Sequence, residues 1–121
     1  MSYSEHHYRS KDGLSLYYRD YCNEHEPDQK VILCLHGLTR NSKDFHTLAQ
    51  HLAEHYRVIS VDIRGRGQSQ WDKRLVRYNP GQYVKDVWAL LDQLQLQQVT
   101  VIGTSLGGLM AMIMADQQPE R

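Results

Sequence analysis

A chain of 121 residues is long enough to bury one modest core, and its fourteen basic and fourteen acidic side chains give a formal charge of zero. This balance offers no electrostatic basis for binding nucleic acid or an anionic membrane, so we expect neither as a partner. The cysteines and histidines lack the spacing of metal ligands, the first ten residues lack an apolar signal segment, and no apolar run is long enough to span a bilayer. We expect a metal-free, cytoplasmic protein.

The first predicted element is an antiparallel β-hairpin over residues 5–21. Two partly apolar stretches flank the pair Asp12-Gly13, which is a strong signal for a tight hairpin turn. The polar stretch 22–30 follows, and Pro27 within it favours a loop over further regular structure.

Three apolar runs of strand length then alternate with stretches whose apolar residues recur at helical spacing. Continuous apolar runs are typical of strands buried on both faces of a parallel sheet. Asp44 is the predicted N-terminal cap of the first helix, while Pro80 opens the second and Pro119 ends the third. The order predicts an α/β fold, a β-hairpin followed by a mostly parallel sheet with helices on both faces. The predicted strands are 31–35, 58–61 and 99–102, and the predicted helices are 44–55, 80–94 and a last one ending near 118.

A serine turn joins the last predicted strand to the last predicted helix. Gly103-Thr-Ser-Leu-Gly107 matches the pattern G-x-S-x-G, and this context is typical of a nucleophile elbow, which exposes the serine hydroxyl above the sheet. Side chains two residues before and after the serine would collide, so glycine fits there, and Gly108 gives further room for helix–strand packing. We therefore predict that Ser105 is a nucleophile rather than a helix cap in a glycine-rich turn.

A second motif, His36-Gly37, follows the first parallel strand and opens a predicted oxyanion loop over 36–43. Acyl transfer needs two backbone N–H groups aimed at the carbonyl oxygen as it becomes negative. One is predicted from Leu106, directly after the nucleophile, and the other from Leu38. Gly37 lets the backbone turn inward at that point.

The chain resembles the α/β-hydrolase superfamily, in the broad group that holds esterases, lactonases, C–C bond hydrolases and cofactor-free haloperoxidases. The resemblance implies the strand order 1-2-4-3-5, no cofactor, and a small carbonyl substrate, either a carboxylic ester or lactone or, as a close competitor, a β-diketone. It also implies that His36 supports the oxyanion loop. The motifs that carry it are His36-Gly37, Asp62-Ile-Arg-Gly-Arg-Gly-Gln-Ser69 and Gly103-Thr-Ser-Leu-Gly-Gly108.

The same resemblance implies a triad in the order serine, acid, histidine. No histidine follows Ser105, and Asp116 and Glu120 lie in or after a helix that leads away from the serine. We expect the acid and the histidine outside these residues, which stop before the expected sixth strand, and little turnover by this stretch alone. A substitute base is disfavoured for each of the upstream candidates His36, His46, His51 and His55.

Several other residues are interpreted as structural. Asp62 ends a strand, and we expect its carboxylate to hold the next loop by accepting backbone N–H groups. Arg64 and Arg66 are interpreted as structural or solvent-facing, and Cys34 as a small buried apolar residue. The three methionines expected to fill the core are Met110, Met112 and Met114.

Two alternatives stay open at this stage. One is a haloperoxidase, acyltransferase or thioesterase with the same elbow, because the acceptor is chosen by parts of the site that these motifs do not include. The other is a non-catalytic remnant that only binds or assembles, which the missing histidine favours. Without a sixth strand, residues 99–102 form an apolar sheet edge, and we expect self-association there.

Overall fold

The structure, a computed structural model, describes residues 3–22 and 29–121. The predicted loop over 22–30, with Pro27, lies mostly outside the described residues. The strands are β1 (Ser4–Arg9), β2 (Ser15–Tyr21), β3 (Val31–Leu35), β4 (Arg57–Val61) and β5 (Thr100–Gly103). The helices are α1 (His46–Leu52), α2 (Pro80–Gln93) and α3 (Leu106–Gln117), with short 3-10 turns at Ser42–Phe45 and Leu75–Arg77.

The five strands form one mixed sheet in the order β1-β2-β4-β3-β5, as the resemblance implied. β1 pairs antiparallel with β2, and β2 pairs antiparallel with β4. β3 lies parallel to both β4 and β5. The carboxyl ends of β3, β4 and β5 therefore meet at one edge of the sheet, which is where ligands bind in open α/β folds.

Helices cover both faces of the sheet, so the predicted α/β class is confirmed. On one face, α1 contributes Ala49 to a small apolar cluster with Cys34 and Val58. On the other face, α2 and α3 pack Leu90 and Met110 into a larger cluster. None of the helices in the described ranges is long and apolar enough to cross a membrane.

The first helix begins differently from its prediction. Asn41 caps the 3-10 turn that precedes α1 by accepting a hydrogen bond from the Lys43 N–H at 2.9 Å, so the prediction of Asp44 as the cap is wrong. Arg40 holds the Asp44 carboxylate instead, with two hydrogen bonds of 2.9 Å. The chain therefore enters α1 at His46 through a 3-10 turn, a form common at helix ends.

Two predictions of burial are also wrong. β5 is exposed at Thr100 and half-buried beyond it, because its only neighbouring strand among the described residues is β3. Met110 and Met114 are buried, but Met112 is 71% exposed. Residues four apart share one face of a helix, whereas a residue two positions on lies on the opposite side, so Met112 faces away from the core.

Candidate active site

Ser105 occupies the turn between β5 and α3 in a strained backbone conformation. Its φ is 55° and its ψ is −109°, values that a non-glycine residue seldom adopts. Such a residue costs about 1–3 kcal/mol and persists only where the surrounding structure imposes it. The Ser105 side chain is exposed, so the sharp turn presents its hydroxyl to an incoming molecule.

Close packing around the turn imposes this conformation. A Cβ atom built on Gly103 would lie 2.2 Å from the carbonyl oxygen of Gly107, and one built on Gly107 would lie 2.0 Å from that of Leu35. Both distances fall inside the van der Waals contact of rigid backbone, so only glycine fits. Gly108 differs, because a Cβ there would lie 3.5 Å from Gly103 O, an ordinary contact. A Cβ would therefore fit at Gly108, so the packing does not require the further room that glycine gives there.

The loop after β3 lies directly beside the serine. A Cβ built on Gly37 would be 3.9 Å from the Ser105 Cβ, and the Thr104 N–H donates to the Leu35 carbonyl at 3.1 Å. Leu106 is the first residue of α3, and N–H groups of a first helical turn have no intrahelical partner. Among the described residues, the N–H of Leu38 also has no acceptor. Both predicted oxyanion donors are thus available at this edge of the sheet.

His36 is fully buried beneath this loop, and both of its ring nitrogens are engaged. Its Nε2 accepts a hydrogen bond from the Ile63 N–H at 2.9 Å, so the proton lies on Nδ1, which donates to the Gly37 carbonyl at 2.7 Å. Burial lowers the pKa of His36. A neutral imidazole with no free nitrogen has no lone pair for the Ser105 proton, which excludes His36 as the base.

The bond from His36 also bears on the oxyanion donor. The Gly37 carbonyl and the Leu38 N–H belong to one peptide group, so a hydrogen bond to the carbonyl fixes the plane in which the N–H points. It also polarises that group and strengthens its N–H as a donor. The resemblance implies that His36 supports this loop, and its hydrogen bond to the Gly37 carbonyl is the contact through which it can do so.

Asp62 connects two loops at the end of β4. Its carboxylate accepts hydrogen bonds from the Ser42 N–H at 2.7 Å and the Gln68 N–H at 2.8 Å. Its own carbonyl accepts from the Ser69 hydroxyl at 2.7 Å. Backbone donors occupy both carboxylate oxygens, and only 3% of the residue is exposed. Asp62 therefore stabilises the loop and is not placed to transfer a proton.

The remaining acid and base candidates lie elsewhere. His46 accepts a hydrogen bond at Nδ1 from the Tyr21 hydroxyl at 2.8 Å, in the layer formed by α1, and His51 and His55 are exposed. Asp116 is eleven residues along α3 from the serine, which corresponds to about 16 Å of helix. Glu120 follows the end of that helix and is also exposed.

Sequence reasoning missed a buried ionic cluster around Arg64. This side chain is fully buried, and its guanidinium bonds Asp12 at 2.7 and 2.9 Å, Asp72 at 2.7 Å and Asp86 at 2.7 and 3.0 Å. Burial lowers the pKa of Arg64, but hydrogen bonds to Asp12 and Asp86 outweigh it and leave a net rise. The solvent-facing interpretation is wrong and the structural one is right. The aspartates lie 8, 22 and 52 residues from Arg64 in sequence, so no single local pattern marks them.

The buried thiol of Cys34 does not compete with Ser105 as a nucleophile. Burial raises the pKa of the Cys34 thiol to about 12, which leaves it protonated and unreactive at neutral pH. Across residues 3–22 and 29–121, no three His, Cys, Asp or Glu side chains are grouped as metal ligands.

The sequence profile of the alpha/beta hydrolase fold family matches residues 30–121, the part of the chain that carries both the predicted oxyanion loop and the serine turn. The chain belongs to the α/β-hydrolase fold family. The proteins that it matches include ones named as hydrolases.

Individual relatives share the sequence over most of this chain. It is 43% identical over 86 residues to the 3-hydroxybutyrate-oligomer hydrolase of Cupriavidus necator, covering 71% of this chain and 29% of that protein. It is 30% identical over 109 residues to a Bacillus subtilis protein named uncharacterized hydrolase YugF, covering 90% of this chain and 38% of that protein.

A solved structure gives the same result for the fold. The crystal structure of an alpha/beta hydrolase from Novosphingobium aromaticivorans superposes with a TM-score of 0.92 at 42% identity, over 98% of this chain and 41% of that one. The α/β-hydrolase chain described here thus spans well under half the length of the proteins that it matches.

Proposed function

We propose that Ser105 is the nucleophile of a serine hydrolase that acts on a carboxylic ester, a lactone or a related carbonyl compound. The observation that carries this proposal is the strained, exposed serine at the elbow, which lies beside a loop with a free N–H at Leu38. Strain of this kind is concentrated at functional sites.

The proposed chemistry proceeds through an acyl-enzyme. The Ser105 oxygen bonds to the carbonyl carbon, its proton passes to a base, and the carbonyl oxygen becomes an oxyanion held by the N–H groups of Leu38 and Leu106. The oxyanion then collapses, the bond to the leaving oxygen breaks, and the leaving group takes the proton from the base. Water repeats the sequence and releases the acid. Since His36 is excluded, we propose that the base and its acidic partner lie outside these 121 residues.

The proposed substrate class follows from the similarity to the 3-hydroxybutyrate-oligomer hydrolase. Oligomers of a hydroxy acid are joined by ester bonds, so a short aliphatic ester is a reasonable first substrate. A β-diketone or a thioester would use the same elbow with carbon or sulfur as the leaving atom, whereas an alcohol or a peroxide would replace water as the acceptor of the acyl group.

The test is ester turnover by the intact natural protein, measured for wild type, Ser105→Ala and Ser4→Ala. Ser4 is an exposed serine in β1 and serves as the matched control. We expect Ser105→Ala to lose about 10⁴-fold or more in kcat with a short ester, and Ser4→Ala to equal wild type. Equal rates for wild type and Ser105→Ala would refute the proposal. A wild-type acyl-enzyme that transfers to added alcohol or peroxide faster than to water would assign a transferase or haloperoxidase instead.

A further inference from the structure

The backbone of Leu38 is fixed on both sides of its Cα atom. On one side, the Gly37 carbonyl accepts hydrogen bonds from His36 Nδ1 at 2.7 Å and from the Arg40 N–H at 3.1 Å. On the other side, the carbonyl of Leu38 itself accepts a hydrogen bond from Arg66 Nε at 3.0 Å. Leu38 is 58% exposed, so packing contributes little to its position. The hydrogen bonds to the Gly37 carbonyl and to its own carbonyl hold its backbone in place.

Arg66 is itself held in place before any substrate arrives. Its Nη1 donates to the Arg64 carbonyl at 2.9 Å, and its guanidinium lies over the ring of Tyr83 with a distance of 4.9 Å to the ring centroid. Tyr83 is buried in α2. The backbone that presents Arg66 is anchored on one side by the ionic cluster of Arg64 and on the other by the hydrogen bond from Gln68 to Asp62.

We propose that Arg66 is a positioning residue for the oxyanion hole: its guanidinium holds the Leu38 carbonyl, so that the Leu38 N–H keeps its direction as the oxyanion forms. This inference rests on the proposed function. Arg66 is preorganised, because its planar guanidinium lies over the Tyr83 ring and is already bonded to the Arg64 carbonyl. Such a charge-assisted bond is stronger than the bond to water that would replace it.

The inference concerns the transition state more than the bound substrate. A neutral ester carbonyl gains little from an N–H that is slightly misplaced, whereas an oxyanion depends strongly on donor distance and direction. Removal of the Arg66 donor should therefore slow acylation and leave KM nearly unchanged. If Arg66 served only folding, its removal would lower stability and would weaken binding of the neutral ester and of the oxyanion equally.

The test uses the intact natural protein with a neutral ester, a trifluoromethyl ketone that forms an oxyanion adduct with the serine, and the corresponding alcohol, which does not. Arg66→Met keeps an unbranched side chain at this position and removes the guanidinium with its donors. Arg74→Met is the matched control. Arg74 is exposed in the segment 70–79, and its substitution removes the same positive charge.

We expect Arg66→Met to acylate about tenfold more slowly and to bind the ketone about tenfold more weakly, a smaller loss than removal of an oxyanion donor itself. For Arg66→Met, alcohol binding and KM should match those of wild type. Arg74→Met should match wild type in all of these measurements. Arg66→Lys, whose ammonium reaches one of the two carbonyls, should show an intermediate loss, and it provides the same comparison if Arg66→Met does not fold.

The outcomes separate the two proposals. If wild type is acylated on Ser105 but the Arg66 variants keep its acylation rate and its ketone-to-alcohol preference, the inference is overturned and the proposed function stands. If ketone and alcohol binding fall equally, Arg66 shapes the pocket and does not position the donor, and the inference is also overturned. If wild type is never acylated on Ser105, the proposed function itself fails.

Discussion

The glycine at position 107 shows how one missing methyl group sustains the strained serine. Gly107 lies in the first turn of α3, where alanine ordinarily stabilises a helix by about 0.5–1 kcal/mol relative to glycine. Here the added Cβ would lie 2.0 Å from the Leu35 carbonyl oxygen, so β3 and α3 would have to move apart. Helix propensity and packing thus act in opposite directions at this residue.

We predict that packing outweighs propensity at Gly107 and not at Gly108. Gly107→Ala should lower the free energy of unfolding by about 2–3 kcal/mol, the cost of overpacking against rigid backbone. Gly108→Ala should leave it unchanged or raise it by up to about 1 kcal/mol, because its Cβ makes only an ordinary contact at 3.5 Å. Chemical denaturation measures both, and equal effects at the two positions would contradict the packing described for the elbow.

His36 couples the oxyanion loop to pH. Its pKa in the folded state is lowered from 6.5 by burial, whereas the unfolded chain has the ordinary value. Below about pH 6.5 the unfolded chain therefore binds a proton that the folded chain does not accept. The stability that His36 contributes is fully present above pH 6.5 and is lost as the pH falls toward and through its folded-state pKa.

We predict that the wild-type free energy of unfolding falls between pH 7 and pH 5 more steeply than that of His36→Gln, which cannot titrate. The difference in slope has an upper limit of about 1.4 kcal/mol per pH unit for one proton. Denaturation of both proteins across this range provides the measurement. Parallel curves would mean that His36 keeps an ordinary pKa and is not enclosed as described.

At the scale of elements, Arg64 connects the segment after β4 to the β1–β2 turn and to α2. It follows β4, and its guanidinium bonds Asp12 in the β1–β2 turn, Asp72 in the segment after β4, and Asp86 in α2. Burial raises the pKa of Asp86, since desolvation outweighs its bonds to Arg64. The hydrogen bond from Arg64 lowers the pKa of the more exposed Asp12.

We predict that Arg64→Met destabilises the fold by about 3 kcal/mol or more, because it leaves the Asp86 carboxylate buried without its cation. The matched control is Arg40→Met, since Arg40 pairs with Asp44 at the surface and 66% of its side chain is exposed. That exposed pair should contribute little. A similar small effect of both substitutions in thermal or chemical unfolding would contradict the assignment of Arg64 as an anchor.

The sequence predicts elements and turns here because their signals are local. The pattern G-x-S-x-G and the apolar runs 31–35 and 58–61 each lie within one stretch of chain, and both strands were placed within one residue of their observed bounds. The Arg64 cluster and the bond from Arg66 to Leu38 join residues that are far apart, so no spacing marks them. The prediction of Asp44 as the cap is wrong for a different reason: Asn41, a nearby residue that also favours capping, takes that position.

At the scale of the whole molecule, the sheet has one apolar edge. β5 pairs with β3 on one side, and a hollow of about 300 Å³ lined by Trp88, Val101 and Met114 lies beside it. Unpaired strand edges with apolar side chains favour pairing with a second chain. The described part of the chain thus combines a well-packed centre with an uncovered flank beside β5.

We predict that the 121-residue polypeptide associates with itself in a concentration-dependent way, as measured by sedimentation. Thr100→Lys places a charge on the exposed start of β5 and should shift the equilibrium toward monomer. Thr47→Lys adds the same charge on the exposed face of α1 and should not. A wild-type polypeptide that stays monomeric at all concentrations would refute pairing through this edge.

The central claim, that Ser105 is an activated nucleophile at this elbow, is tested most directly by covalent labelling. The intact natural protein is treated with a fluorophosphonate, and the modified residue is identified by peptide mass spectrometry in wild type and in Ser105→Ala. The account predicts one adduct on the peptide that contains Ser105, absent from the variant. Label on a different residue, or no label on a folded wild-type protein that hydrolyses the ester, would contradict it.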